Sequence, residues 1–496
     1  MQISKSEYML FLKHPGMLWL KKHDKSKLPA VSESLQAMFD DGKLFEEYAN
    51  KLFPDAVSVG FDSYASYMTM PNRTREILQG GAHTIFQGRI ESENITCIFD
   101  VIEKVGEGEY DLIEVKSSTE VKSDHIADLA FQTIVLEDAG LKVRNVFVIH
   151  ANAEYVRRGD IDVQMLTKKE EVTAQVRSLE TETRRNIEEA LRVASSQTPP
   201  DYSPRHAKQG ALQEWMEIYH LLYPQKHTYP ISKLTRINAK LIGELEDRGV
   251  ERIQDIPESV NLSAKQRAQV HVTRDEKRII IKEKISEFLD SLIFPLYFFD
   301  YETFSTVIPP FDGIHPHQQV PFQYSLHIME TPTSKPVHKE YLHRENSHPG
   351  LPLLTQLQRD IGNRGSVIVW YEPFEKTRNE ELGQMFPEYA SFMEALNARV
   401  VDLMTPFANN WYMDKDFFGS ASIKKVLPVL VSDLSYKELE IQEGASASRI
   451  WTETVLQGKN QDTKEKIMKD LHDYCHLDTL AMVQLYDFLR CEVGEE

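Results

Sequence analysis

A chain of 496 residues with 41% hydrophobic and 27% charged side chains is too long for one ordinary core, so two or three domains are expected. No apolar run approaches the roughly 20 residues that span a bilayer, and the N-terminal MQISKSEYMLFLKHPGMLW, broken by Lys and His and lacking a small-residue cleavage site, argues against a signal peptide. The net charge of −19 repels phosphates, but acids clustered around Mg2+ or Mn2+ reverse the local field, so a nucleic-acid partner is not excluded.

The expectation is a cytoplasmic protein with no membrane partner. Its cysteines, Cys97, Cys475 and Cys491, are odd in number and scattered, which argues against a disulfide framework and a cysteine metal site. Three regions separate along the chain: 1–195, a small region over 200–290, and 291–496. In the first, TCIFDVIEKV, YDLIEVKSS and VRNVFVIHA read as strands. DHIADLAFQTIVLEDAGL between the last two has helical spacing and ends at Gly140. EEVTAQVRSLETETRRNIEEALRVA predicts one long, solvated, charged helix, and SSQTPPDYSP a linker.

YPISKLTRINAKLIGELEDRGVERIQDIP predicts a helix, a glycine turn and a short helix, a helix–hairpin–helix-like unit or a plain helical spacer. Over 291–496, strand-like PLYFFDYE, VPFQYSLHIM and HKEYLHRE come in series. SVIVWYE and ARVVDLM then alternate with helical LPLLTQLQRDIG and FEKTRNEELGQMF, and a long helix closes the chain. That pattern predicts an α/β fold with a mixed sheet.

Two acidic sets carry chemistry. In IFDVIEKVGEGEYDLIEVKSS, Asp100 is followed by Glu114-Val115-Lys116, and residues two apart on a strand share a face. Asp100 and Glu114 can ligate a divalent ion, and Lys116 can orient water or offset pentavalent charge. An exposed Glu/Lys pair on an edge strand is the bland alternative. Gln132 follows on the helix that would cover the site. In PLYFFDYE, Asp300 and Glu302 fall on one strand face and Tyr301 on the other. HDYCHLDTLAMVQLY sets Tyr474 and Asp478 four apart on a helix, hence on one side.

The first set resembles RecB-type PD-(D/E)XK nucleases, with Asp100, Glu114, Lys116 and Gln132 at the motif positions. DGKLFEEYANKLFPDA is similar to the family's upstream helix, which implies a further acid at Glu46 or Glu47. Relatives often hold a four-cysteine iron–sulfur cluster that begins in a motif like LKHPGMLWL. His14 takes that place here, so no iron–sulfur cluster is expected. The second set resembles DnaQ-type 3′–5′ exonucleases of the RNase H-like fold. Position 473, where the histidine subclass has its imidazole, is Asp, so the tyrosine subclass is implied, with Tyr474 catalytic and Asp478 a ligand. The remaining acid of that family falls at Glu375, with Asp402 as the alternative.

The whole order resembles a group of bacterial two-nuclease proteins. It implies a PD-(D/E)XK domain over 1–195, a helical spacer over 200–290 and a DnaQ-like exonuclease over 291–496. The implied activity is two-metal phosphodiester hydrolysis with Mg2+ or Mn2+ at both sites. The implied partner is DNA, single-stranded or at duplex ends, with RNA as an alternative. A nucleic-acid-binding scaffold with one or both sites inactive is the competing expectation.

Overall fold

The computed structural model describes every residue except Gln209, Gln225, Glu495 and Glu496. The described residues form an α/β protein with mixed sheets, in two compact units. Unit one comprises 1–226, 238–244 and 306–317; unit two comprises 227–237, 245–305 and 318–496. Residues 200–290, expected as a separate spacer, are thus shared between the units.

Unit one contains β1 (Ile3–Ser4), α1 (Lys5–Lys13), α2 (Pro15–His23), α3 (Glu33–Ala49), β2 (Val57–Ser58), α4 (Tyr64–Gln79), β3 (Thr84–Glu91), β4 (Ile95–Lys104), β5 (Glu109–Lys116), α5 (Ser123–Asp138), β6 (Lys142–Ala151), β7 (Thr167–Glu171) and α6 (Glu180–Ser195). Its sheet runs β2-β3-β4-β5-β6-β7, with β1 pairing alongside β4. The hairpin β4–β5 is antiparallel, whereas β5 and β6 are parallel and need the crossover that α5 supplies. Leu129, Phe131, Ile134 and Val135 of α5 are buried in the main core with Phe99, Leu112 and Val146.

Two expectations change here. The long charged helix breaks at Leu179, and Thr183, Ile187, Ala190 and Ala194 of α6 are buried. This spacing makes a narrow apolar stripe, which the surrounding Glu and Arg residues obscured in the sequence. The expected linker is held down as well: Trp19 donates to Ser196 O at 3.0 Å, Trp215 donates to Tyr202 O at 3.0 Å, and His14 Nε2 lies 3.1 Å from Ser203 O. Buried indole N–H groups need acceptors, and an irregular segment offers free carbonyls.

Unit two holds β8 (Leu296–Phe304), β9 (Val320–Met329), β10 (Val337–Leu342), α7 (Gly350–Asp360), β11 (Val367–Val369), α8 (Glu372–Met385), β12 (Val400–Asp402), α9 (Ile423–Leu430), α10 (Gly444–Trp451) and α11 (Lys464–Val493). The order is β10-β9-β8-β11-β12, antiparallel among the first three and parallel from β8 to β12. One face of the sheet is apolar: Phe299, Tyr301, Tyr324, Leu326 and Val369 pack with Leu353 and Leu357 of α7 and Leu382 of α8. The other face carries Gln323, Ser325 and His327 on β9, all buried, and Gln323 donates to Leu471 O of α11 at 3.0 Å. A polar strip can be buried there because α11 supplies partners for it.

Candidate active sites

In unit one the capping box of α1, Ser4 with Glu7, places Lys5 in the first turn of that helix. Lys5 Nζ reaches Glu114 Oε1 at 2.9 Å and Asp128 Oδ2 at 3.5 Å. Lys116 Nζ meets the same two oxygens at 2.7 and 3.1 Å. Gln132 donates to Glu114 Oε2 at 2.7 Å and Asp128 Oδ1 at 3.0 Å, while its own Oε1 is buried with no hydrogen-bond partner among the described residues. Asp100 stands where the β4–β5 ladder ends, and its Oδ2 accepts the Val115 N–H at 2.9 Å.

Gln87, at φ 50° and outside the β3–β4 register, donates to Asp100 Oδ1 at 3.3 Å and to Glu46. That bulge aims a side chain at the acids. The structure therefore brings Glu46 to the cluster and leaves Glu47 exposed on α3. Lys5, Gln87 and Asp128 escaped the sequence reading. Asp128 had a signal, since it precedes Gln132 by one helical turn.

Burial raises the Asp100 carboxyl to about 8, and Glu114 adds to that rise. Burial also pushes Glu114 up, but Lys116 and Lys5 outweigh it and hold that carboxyl below the ordinary range. Asp128 is raised by burial and then by Glu114. Two lysines among four acids compensate half of this cluster, through Glu114 and Asp128. His14 caps α2 by accepting the Gly16 N–H at 2.9 Å and stacks on Trp215 at 3.7 Å.

In unit two Asp300 and Glu302 leave β8 on the face opposite Tyr301, whose hydroxyl donates to Asn379 Oδ1 at 3.0 Å. An oxygen of each acid and Cys475 Sγ lie within 4.8 Å of one another. The Cys475 thiol is pushed up by burial and then by Asp300 and Glu302, so it floors the cluster as a neutral thiol. Glu375, in the first turn of α8, lies against Asp300 and the Tyr301 N–H. Its Oε2 is buried with no hydrogen-bond partner among the described residues.

Asp402 is placed elsewhere. Its Oδ1 accepts Tyr371 N–H at 3.1 Å and Met404 N–H at 2.9 Å, and its Oδ2 accepts Glu372 N–H at 3.1 Å. It holds the entry to α8, where Tyr371 sits at φ 84°.

Asp478 and Tyr474 approach from α11. Tyr436, absent from the sequence reading, donates to Asp478 Oδ1 at 2.5 Å. Lys424 Nζ lies 3.3 Å from Tyr474 Oη and 2.6 Å from Gln442 O. Gly444, at the start of α10, borders the cluster: a Cβ built on it would make ordinary contact with Glu302 Oε2 at 3.6 Å. Burial first, then the neighbouring acids, raises Asp300, Glu302 and Glu375 well above the carboxylate range. Asp478 is brought to about 6 by burial. All four acids resist ionisation because they are buried and, for three of them, because they face one another.

The comparisons with known proteins cover parts of the chain. The family described as "Domain of unknown function (DUF2779)" matches residues 297–422, which contain Asp300, Glu302, Glu375 and Asp402. The chain is 26% identical over 236 residues to the "Uncharacterized protein MG366 homolog" of Mycoplasma pneumoniae, spanning 44% of this chain and 35% of that protein. It is 25% identical over 235 residues to "Uncharacterized protein MG366" of Mycoplasma genitalium, spanning 43% and 35%. The chain thus spans about a third of the length of the curated relatives it matches.

Proposed function

We propose that the protein is a metal-dependent phosphodiester hydrolase acting on DNA, with a 3′–5′ exonuclease centre in unit two and a second nuclease centre in unit one. The observation that carries the reading is the convergence of Asp300, Glu302, Glu375 and Asp478 from β8, α8 and α11, with the Glu375 Oε2 atom unpartnered among the described residues. Hard carboxylate oxygens in that number suit Mg2+ or Mn2+, and these four residues would hold the ions. Such ions lower the pKa of water and offset the charge that builds on a phosphoryl group.

The chain's own groups do the rest. Tyr474 stays a phenol, because burial and the nearby acids raise its pKa, so it orients water by hydrogen bonding and does not act as a base. Lys424 sets the direction of that hydroxyl. Tyr436 fixes Asp478 by donating to its Oδ1, and Tyr474 hydrogen-bonds the same carboxyl. A mixed five-stranded sheet whose central first strand bears the acids supports an RNase H-like reading of unit two. A β4–β5 hairpin and α5 that gather Asp100, Glu114, Lys116 and Gln132 support a PD-(D/E)XK-like reading of unit one.

A specific observation favours the scaffold reading for unit one alone: Lys5 and Lys116 already pair with Glu114 and Asp128. The test is end-labelled single-stranded DNA, duplex DNA and RNA incubated with the purified protein in Mg2+, Mn2+ or chelator. Metal-dependent shortening from the 3′ end is expected. Substrates left intact in both metals would overturn the enzyme reading.

A further inference from the structure

Outside both acid sets, three histidines meet at the β10 edge of the unit-two sheet. His327 of β9 and His338 of β10 are direct partners in the antiparallel register, and His476 comes from α11. The ring centroids stand 4.6, 4.9 and 4.3 Å apart, and one nitrogen of each ring lies within 4.8 Å of the others. The rings are oriented from behind. His327 Nδ1 is 2.8 Å from Thr479 Oγ1, which is 2.6 Å from Ser325 Oγ, which is 3.0 Å from His338 Nε2. One nitrogen of each of these two rings is thereby engaged and the other is left to ligate, the arrangement that outer hydrogen bonds impose on metal-binding imidazoles.

Glu340, on the same strand face as His338, lies 2.9 Å from His472 Nδ1 and 3.9 Å from His338 Nε2, so negative charge borders the cluster. Burial, then the other two rings, hold His327 near 3, and burial, then His476, lowers His338. Neutral imidazole is the ligating form, and three such donors select a borderline transition metal over Mg2+.

We propose that His327, His338 and His476 form a zinc site that ties α11 to β9 and β10, with Glu340 as the acid beside it. The site is separate from the carboxylate cluster, and its metal is of a different class. It clamps the helix that carries Tyr474 and Asp478. Because zinc would bind the folded state, it would also stabilise unit two.

The test uses the full-length protein stripped of metal and titrated with Co2+ as a spectroscopic stand-in for Zn2+. One Co2+ per chain is expected to develop visible ligand-field bands, to be displaced by Zn2+ and to survive millimolar Mg2+. His338→Gln and His476→Gln, at half-buried positions where folding is checked by circular dichroism, are expected to abolish the bands. Asp300→Asn is expected to retain them, whether or not the protein proves to be a nuclease. Wild-type protein without bands, bands that persist in both histidine variants, or bands lost in Asp300→Asn would each overturn the proposal.

Discussion

In unit one Glu114 and Asp128 share the ammonium groups of Lys5 and Lys116, whereas in unit two Asp300, Glu302 and Asp478 only lie in the field of Lys424, which is bonded to Tyr474 and Gln442. The same residue class therefore meets opposite environments. Glu114 is held ionised by cations built into the fold, and Glu375 is pushed towards its neutral form. An acidic cluster is not one electrostatic object: what matters is whether the fold supplies the counter-charge or leaves it to a ligand.

The largest effect that would break this comparison is on activity. Asp300→Asn is expected to lower 3′-end-directed cleavage by about 10^3-fold or more, while Lys116→Ala lowers only a separate activity of unit one. Equal loss of both activities in each variant, measured on end-labelled DNA, would mean that there are not two independent centres.

Stability separates the clusters by sign. Glu114→Gln leaves Lys5 and Lys116 short of a partner and is expected to cost about 3–5 kcal/mol. Glu375→Gln, in chelator at neutral pH, removes an acid whose ionisation the fold opposes and is expected to stabilise the protein. Urea unfolding of both variants checks this, and destabilisation by both would remove the distinction.

A further effect is in pH dependence. Burial, together with the nearby His206, lowers His14 to about 4, although the backbone Ser203 contact and Asp201 oppose that shift. The unfolded state then binds the extra proton, so this contribution, about 3 kcal/mol, is present above the ordinary histidine pKa of about 6.5 and is lost as pH falls through 4. Asp478, raised to about 6, acts with the opposite sign in chelator. The folded state binds the proton, so stability falls as pH rises from about 4 through 6. His14→Asn, which retains a helix-capping acceptor, is expected to flatten the acid limb of the unfolding midpoint plotted against pH.

How much was legible depended on distance along the chain. Asp300 and Glu302 opposite Tyr301, Glu114 in line with Lys116, and Tyr474 one turn from Asp478 all follow from the two-residue and 3.6-residue periods of local backbone. The strand and helix segments of the α/β pattern were readable for the same reason. The course of α6 was not, because four small or apolar residues among charges announce a buried stripe only when something packs on it.

Lys5 lies more than a hundred residues from Glu114 and reaches it because β1 docks beside β4 and the Ser4 cap starts α1 there. Gln87 depends on a bulge, Tyr436 on a short loop segment, and the histidine trio on the pairing of β9 with β10 under α11. Sequence by itself determined which side chains share a face within one element. Tertiary structure alone decided which faces meet, and hence which acids are salt-bridged to a lysine inside the fold and which only lie near one. Side-chain periodicity is a property of local dihedrals, whereas charge compensation is set by neighbours that only packing assembles.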